Sequence, residues 1–302
     1  MKSGYLYVIM CYILVGISYP IAADAMYAIP VWTFISITFA IGFVFLYAIG
    51  LFSKAPKFFS LSMKAWVVIS IQSLLGAVLY TAFLLYGFEY ANAITASIFT
   101  SISPAFVLAL SFFILKEKLS VKKSAAIALA IAGVMFLTLP GIEAESGPSA
   151  LGILFFFLST LSVAGCVIAA KKLDIQLPAI TMATGVCFTG TIFTLPVALL
   201  TETASIELSL FSAENITIMV YYGLLVWAVP YFCFYKGVTR IPASATGMAF
   251  ATIPVASTFC SIMFFDQSMS TTDIVALIMV TSSIFLAEAE EPVAVNNKLD
   301  FA

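Results

Sequence analysis

The sequence predicts an all-α polytopic membrane protein, built from ten transmembrane helices arranged as two inverted five-helix repeats. Three observations predict it. Of 302 residues, 63% are hydrophobic and only 9% are charged. A soluble domain carries roughly 25% charged residues, so this chain cannot cover a water-facing surface and must take lipid as its main solvent. The apolar residues fall into ten runs of about the length a bilayer requires, roughly 20 residues each. All basic residues then fall on one side of the membrane.

The runs cover about 4–22, 31–51, 66–88, 93–115, 122–140, 150–170, 178–200, 216–237, 243–265 and 273–289. Connections are short, and Pro30, Gly141, Pro148, Pro178 and Pro242 punctuate them. The first run has a second reading as a cleaved signal peptide. Lys2 would then be its basic start and Ala23-Asp24-Ala25 its cleavage site. Cleavage would leave nine helices and orphan the partner of the sixth. With the N-terminus in the cytoplasm, the cytoplasmic segments hold all 13 basic residues: Lys2, Lys54, Lys57, Lys64, Lys116, Lys118, Lys122, Lys123, Lys171, Lys172, Lys236, Arg240 and Lys298. The opposite side holds Asp24, Glu89, Glu143, Glu145, Glu202, Glu207, Glu214, Asp266 and Asp273. Basic loops mark the cytoplasmic face, and one span more or fewer would scramble the pattern. The expectation is a multi-pass protein of the cell (inner) membrane with both termini cytoplasmic.

Two sets of five crossings must enter the membrane in opposite senses. At an offset of 150, Gly87 aligns with Gly237, Ala93 with Ala243, Pro104 with Pro254, Ser111 with Ser261 and Ser120 with Ser270. These are few identities, but they include the residues that control helix geometry. The expected units are residues 1–141, residues 142–290 and a cytoplasmic tail at 291–302. Inverted repeats are a recurring transporter design, with substrate near the midplane between the halves.

Candidate residues follow from cost. Proline at a helix centre removes a hydrogen bond, so Pro104 frees the carbonyl of Thr100 and Pro254 that of Phe250. Thr100, Ser101 and Ser103 are placed to rescue that backbone. Small-residue stripes flank both prolines: Ala93, Ser97, Thr100, Pro104 and Ser111 in one half, Ala243, Gly247, Ala251, Pro254, Ser257 and Ser261 in the other. They suit tight packing, substrate contact, or a moving gate. On the first helix Tyr5, Tyr12, Gly16 and Tyr19 share a face. Tyr5 and Tyr19 lie near its ends and suit interfacial belts. On the third, Gln72, Gly76, Tyr80 and Phe83 share a face, and Gln72 must point inward because an unpaired amide is costly in hydrocarbon. Trp227, Tyr231 and Phe234 group on the eighth. Tyr12, Gln72, Tyr80, Thr100, Ser101, Trp227 and Tyr231 are therefore the expected substrate-binding set, with Pro104 and Pro254 as gates. Packing alone also accounts for each aromatic.

The segment from Gly76 to Leu137 carries an aromatic-rich helix, an A-x-x-A-S-x-x-x-S-x-x-P run from Ala93 to Pro104, an L-K-E-K-L turn from Leu115 to Leu119, and an alanine-rich helix with Gly133. It resembles the EamA family of the drug/metabolite transporter superfamily. The second half repeats the pattern more weakly, with Asp266-Gln267 in the turn. The resemblance implies ten helices and export or exchange of metabolites, often amino acids.

Other functions lack their residues. The chain has no histidine, and its five cysteines, Cys11, Cys166, Cys187, Cys233 and Cys260, lie in apolar runs without C-x-x-C spacing. They read as packing residues. No nucleophile–base pair, metal set, phosphate loop or nucleic-acid site is present, so no enzyme activity, cofactor or nucleic-acid partner is expected. A membrane enzyme acting on lipid would need a charged or metal-binding cluster. A scaffold or sensor would be expected to carry an extramembrane domain. No span centre carries a charge, which points to facilitated diffusion or exchange without proton coupling. The expected partners are a small-molecule substrate and the bilayer, with a monomer or homodimer as the assembly.

Overall fold

The structure is a computed structural model that describes residues 2–26, 29–52, 58–116, 120–142, 149–173, 177–203, 210, 212–238, 240, 249 and 252–288. The second small-residue stripe at Ala243, Gly247 and Ala251, and the carbonyl of Phe250, lie outside the described residues. Among the described residues every regular element is helical. We number them α1 (Lys2–Ala25), α2 (Val31–Leu51), α3 (Met63–Phe88), α4 (Ala93–Ile114), α5 (Val121–Ile142), α6 (Ala150–Lys172), α7 (Ala179–Thr201), α8 (Ala213–Gly237), α9 (Thr252–Phe264) and α10 (Thr271–Glu288). Among the described residues, seven of these (α1 to α4 and α6 to α8) are long and apolar enough to cross a membrane. In α9 and α10 the apolar stretches are shorter.

Helix starts follow ordinary capping chemistry. Ser62, Ser149 and Ser212 each accept a backbone N–H from the first turn of α3, α6 and α8, which satisfies a donor no intrahelical carbonyl can reach. Pro30 and Pro178 precede α2 and α7, their fixed φ values setting the entry. Ser270 and Asp273 cap α10 reciprocally: Asp273 N donates to Ser270 Oγ at 3.1 Å, and Ser270 N to the Asp273 carboxylate at 2.8 Å.

The helices pair in a pattern that is preserved when each is exchanged with the one five later. α2 packs on α7, α5 on α10, and α4 on α9. α1 packs on α8 and α9, while α6 packs on α3 and α4. Local geometry recurs with the same spacing. Ser62 and Ser212 are equivalent caps, as are Ser120 and Ser270. The two non-glycine residues with positive φ among the described residues, Lys116 at 56° and Asp266 at 50°, are 150 apart. At the α2–α7 crossing a Cβ on Gly42 would lie 3.2 Å from Cys187 Sγ, and one on Gly190 2.9 Å from the Phe39 ring. The four residues form two pairs 148 apart.

Both α3 and α8 change winding in mid-span. Leu74–Leu79 and Gly223–Ala228 are π-helical turns, 149 residues apart. A π turn misaligns carbonyls with their usual donors, and lipid offers no replacement. Side chains of α6 supply it on α3. Ser162 Oγ donates to Leu75 O at 2.7 Å, Ser159 Oγ to Tyr80 O at 2.7 Å, and Cys166 Sγ to Gln72 O at 3.7 Å.

α4 is broken rather than merely bent. One segment ends at Ser101 and the next starts at Ser103, with Pro104 in its first turn. The Thr100 carbonyl that Pro104 cannot serve accepts Ser103 Oγ at 2.6 Å, and the neighbouring Phe99 O accepts Thr160 Oγ1 at 3.2 Å. The serine rescue expected from the sequence is therefore present. Pro254 is buried in the first turn of the described part of α9.

Candidate functional site

Among the described residues the middle of the bundle carries no charged side chain and is rich in aromatic hydroxyls. α8 presents Trp227, Tyr231 and Tyr235 at spacings of four, a single face of the helix, with centroids 5.6 and 6.2 Å apart. Each ring carries one polar atom, and each reaches across to α2 or α3. Trp227 Nε1 donates to Thr38 Oγ1 at 3.1 Å, Tyr231 OH to Gly76 O at 3.1 Å, and Tyr235 OH to Gln72 Oε1 at 3.0 Å. Tyr222, higher on the same helix, donates to Ser18 O on α1. The Tyr231 acceptor is a carbonyl within the π turn of α3.

A second group lies where α1, α3 and α4 meet. Tyr19 OH donates to Thr100 Oγ1 at 2.8 Å and lies 2.5 Å from Tyr80 OH. Thr100 Oγ1 donates to Ala96 O at 3.0 Å. Tyr19 has one proton and gives it to Thr100, so Tyr80 must be the donor to Tyr19. The result is a directed chain from Tyr80 through Tyr19 and Thr100 to backbone, in which each bond polarises the next.

The sequence-predicted residues divide as follows. Tyr80 and Thr100 meet through Tyr19. Trp227, Tyr231 and Gln72 join through the α8 ladder. Tyr12 is buried on α1 with its ring 6.5 Å from Phe234. Ser101 bonds within its own helix, to Ser97 O at 2.7 Å. Phe83 stacks on Phe155. Tyr5 is 40% exposed. Tyr19 is 1% exposed and central. The expected belt position fails for it because α1 runs on to Ala25, which leaves Tyr19 more than a turn inside the helix end.

Sequence reasoning missed Tyr19, Thr38, Tyr222 and Tyr235. For Tyr222 and Tyr235 a signal existed in the spacing of four to Trp227 and Tyr231, extended in both directions with one register shift at the π turn. Ser159, Ser162 and Cys166 form a small polar stripe on α6 that could have flagged the α3 carbonyls. Nothing marked Thr38.

Carboxylates lie at the rim. Glu202 closes α7 and reaches the start of α2, accepting Trp32 N at 3.0 Å, Thr33 N at 2.7 Å and Thr33 Oγ1 at 2.8 Å. Glu89 is exposed just beyond α3. Among the described residues no group of His, Cys, Asp and Glu could hold a metal ion.

The EamA-like transporter family model matches twice, over residues 2–139 and 150–288. The chain belongs to the EamA-like transporter family. It is accordingly a multi-pass membrane protein and a membrane transporter of the drug/metabolite transporter superfamily. Among relatives, it is 30% identical over 275 residues to an uncharacterized transporter of Bacillus subtilis, YetK, covering 90% of this chain and 83% of that one. A second B. subtilis uncharacterized transporter, YvbV, is 24% identical, covering 91% and 88%. An uncharacterized transporter of Clostridium kluyveri is 23% identical, covering 93% and 91%. A solved crystal structure of a protein 19% identical in sequence has the same fold, with a TM-score of 0.69 over 95% of this chain and 96% of that one.

Proposed function

We propose that this EamA-family member carries a small metabolite, an amino acid or a related polar or aromatic compound, across the cell membrane by alternating access. In this reading ten helices form two inverted repeats, 1–141 and 142–290, with both termini and the tail at 291–302 in the cytoplasm. The observation that carries it is the α8 ladder. Trp227, Tyr231 and Tyr235 hold the second half to α2 and α3 by single hydrogen bonds through neutral side chains. Each such bond is worth about 0.5–1.5 kcal/mol net. Bonds this weak can be traded for bonds to a solute, which keeps two arrangements of the ladder close in free energy. The recurrence of caps, π turns and positive-φ residues about 150 residues apart supports two equivalent units. Planar rings with one polar atom each suit a solute with an apolar body and a few hydrogen-bonding groups. Tyr12, Gln72, Tyr80, Thr100, Ser101, Trp227 and Tyr231 are the proposed contacts, and Pro104 and Pro254 the proposed gates.

Transport is read as facilitated diffusion or exchange, because the carboxylates among the described residues sit at helix ends. Liposomes loaded with an unlabelled amino acid should take up the labelled compound by counterflow, with or without a pH gradient. Accumulation driven by the pH gradient alone would overturn the uncoupled reading, and Glu89→Gln would then show whether Glu89 is the coupling group. Absence of counterflow for every amino acid tried, in protein that remains folded, would overturn the substrate class. Topology is tested by labelling single cysteines. Glu214→Cys should react from outside and Val121→Cys only after permeabilisation; both positions are exposed and neither is a capping serine.

A further inference from the structure

Gln72 stands well inside α3, at the centre of the face this helix turns inward. At about 100° per residue, Ala65, Val68, Ile69 and Ser73 surround its position, and each of them is buried. Met63, Val67 and Leu74 lie on the opposite side and are exposed. Gln72 itself is only half-buried. An opening at the centre of an otherwise buried face is interior space, not lipid. Gly76 and Tyr80 on α3, and Tyr231 and Tyr235 on α8, are half-buried as well.

The hydrogen bonds fix what the polar atoms here have left to offer. Tyr235 OH gives its one proton to Gln72 Oε1 at 3.0 Å, and Tyr231 OH gives its own to Gly76 O at 3.1 Å. Among the described residues Gln72 Nε2 has no hydrogen-bond partner, and it is not sealed off as the unpartnered hydroxyls of Thr81 and Thr258 are. An amide nitrogen carries two donors, and a phenol that has given its proton away keeps an acceptor lone pair. A free donor on Gln72 therefore stands beside a free acceptor on Tyr235. Turning the amide over exchanges the two roles and still leaves one of each. Neither α3 nor α8 carries a charged side chain between its ends. Lys236, which follows Tyr235, holds its ammonium over the rings of Tyr7 and Phe232, at 4.9 and 5.0 Å.

An uncharged donor and acceptor side by side are the complement of an amide edge, where C=O and N–H also stand side by side. We propose that Gln72 and Tyr235 bind the amide edge of a planar, neutral solute, a primary carboxamide or a lactam, whose ring lies along Trp227, Tyr231 and Tyr235. Gln72 Nε2 donates to the solute carbonyl, and the solute N–H donates to Tyr235 Oη. Ions of the same shape fit worse. Each must leave water for a site that holds only dipoles, a carboxylate would face the Tyr235 lone pair, and an amidinium would face the Gln72 N–H. This names a solute class for the central site. That the bound solute is also carried across the membrane rests on the transporter reading above.

The test is equilibrium dialysis of the purified full-length protein with three probes of one shape: benzamide, benzoate and benzamidinium. Wild type should bind benzamide about tenfold more tightly than either ion, the scale of one or two net hydrogen bonds. Gln72→Leu should weaken benzamide by about the same factor and remove its advantage over the ions. Tyr235→Phe keeps the ring wall and should also weaken benzamide. A variant is scored only where its thermal transition stays cooperative, and the wild-type order decides the question without either of them. No binding of benzamide to wild type, equal affinity for the three probes, or an advantage for benzamide that survives Gln72→Leu would overturn the proposal. Counterflow in liposomes separates it from the transporter reading. If benzamide binds through Gln72 but neither moves nor competes with flux, the site stands and its link to transport falls. Counterflow of an amino acid by a protein with no preference for benzamide removes the site and leaves the transporter.

Discussion

Tyr19→Phe removes one oxygen atom and leaves the ring, with its edge contact to Phe88, in place. Two hydrogen bonds disappear, to Thr100 at 2.8 Å and to Tyr80 at 2.5 Å. Bonds between membrane helices average about 0.6 kcal/mol with a maximum near 1.7, so two sum to about 1.2 kcal/mol. Stranding Tyr80 OH in a dry interior adds to this, and its movement toward Thr100 takes part of it back. The net expectation is a loss of about 1–2 kcal/mol. For a chain this long that is a fall of roughly 2–6 °C in thermal midpoint. Thermal unfolding of detergent-purified wild type, Tyr19→Phe, Tyr80→Phe and the double variant completes a cycle. A directed chain predicts a coupling of about 0.5 kcal/mol or more, because either single change already breaks the shared bond. Single effects that add to within about 0.3 kcal/mol would refute the network, as would a Tyr19→Phe protein as stable as wild type.

Other tests address separate features. Gly16→Ala places a Cβ 2.6 Å from the Ile253 carbonyl, a backbone atom that cannot turn aside, whereas Gly165→Ala meets nothing nearer than 3.9 Å. The first should cost about 1–3 kcal/mol and the second should stabilise slightly, read as opposite shifts in thermal midpoint. Lys116→Gly and Asp266→Gly should each stabilise by up to about 1 kcal/mol, since both residues sit in the left-handed region; a drop in either midpoint would contradict that backbone geometry. Glu202→Gln replaces one of two acceptor oxygens with a donor facing other donors, and should lower the midpoint by a few degrees, corresponding to about 1–2 kcal/mol. Pro104→Ala and Pro254→Ala should slow counterflow while leaving the protein folded; unchanged flux in both would remove the prolines from the gating scheme.

Legibility varied with the kind of physics involved. Gln72 was readable because a lone amide in an apolar run has few options, and Tyr235 supplies its partner. The serine rescue beside Pro104 was readable because a missing N–H is a local event. The π turns were not. Gly76 and Gly223 differ little from other glycines in these helices, and a π turn adds one residue without changing which residues are apolar. Its effect is to rotate the helix on one side of the turn relative to the other; beyond it Tyr235 continues the spacing of four from Trp227 and Tyr231, while Phe234, the expected neighbour, packs against Tyr12. Tyr19 was misjudged by a boundary error of three residues, enough to move a side chain from rim to core.

By itself the sequence determined the solvent and the helical class. These depend on how many polar groups hydrocarbon tolerates, which does not require knowing which helices touch. Only the tertiary structure decided partners. Trp227 finds Thr38 across 189 positions, Tyr231 finds Gly76 across 155, and Tyr19 finds Thr100 across 81. Such pairings depend on crossing points set by Gly42 and Gly16, where the lack of a Cβ lets backbones approach. A hydroxyl in a membrane must be paired somewhere, and the chain alone does not say where. Packing of α8 against α1, α2 and α3 turns that obligation into a particular set of bonds.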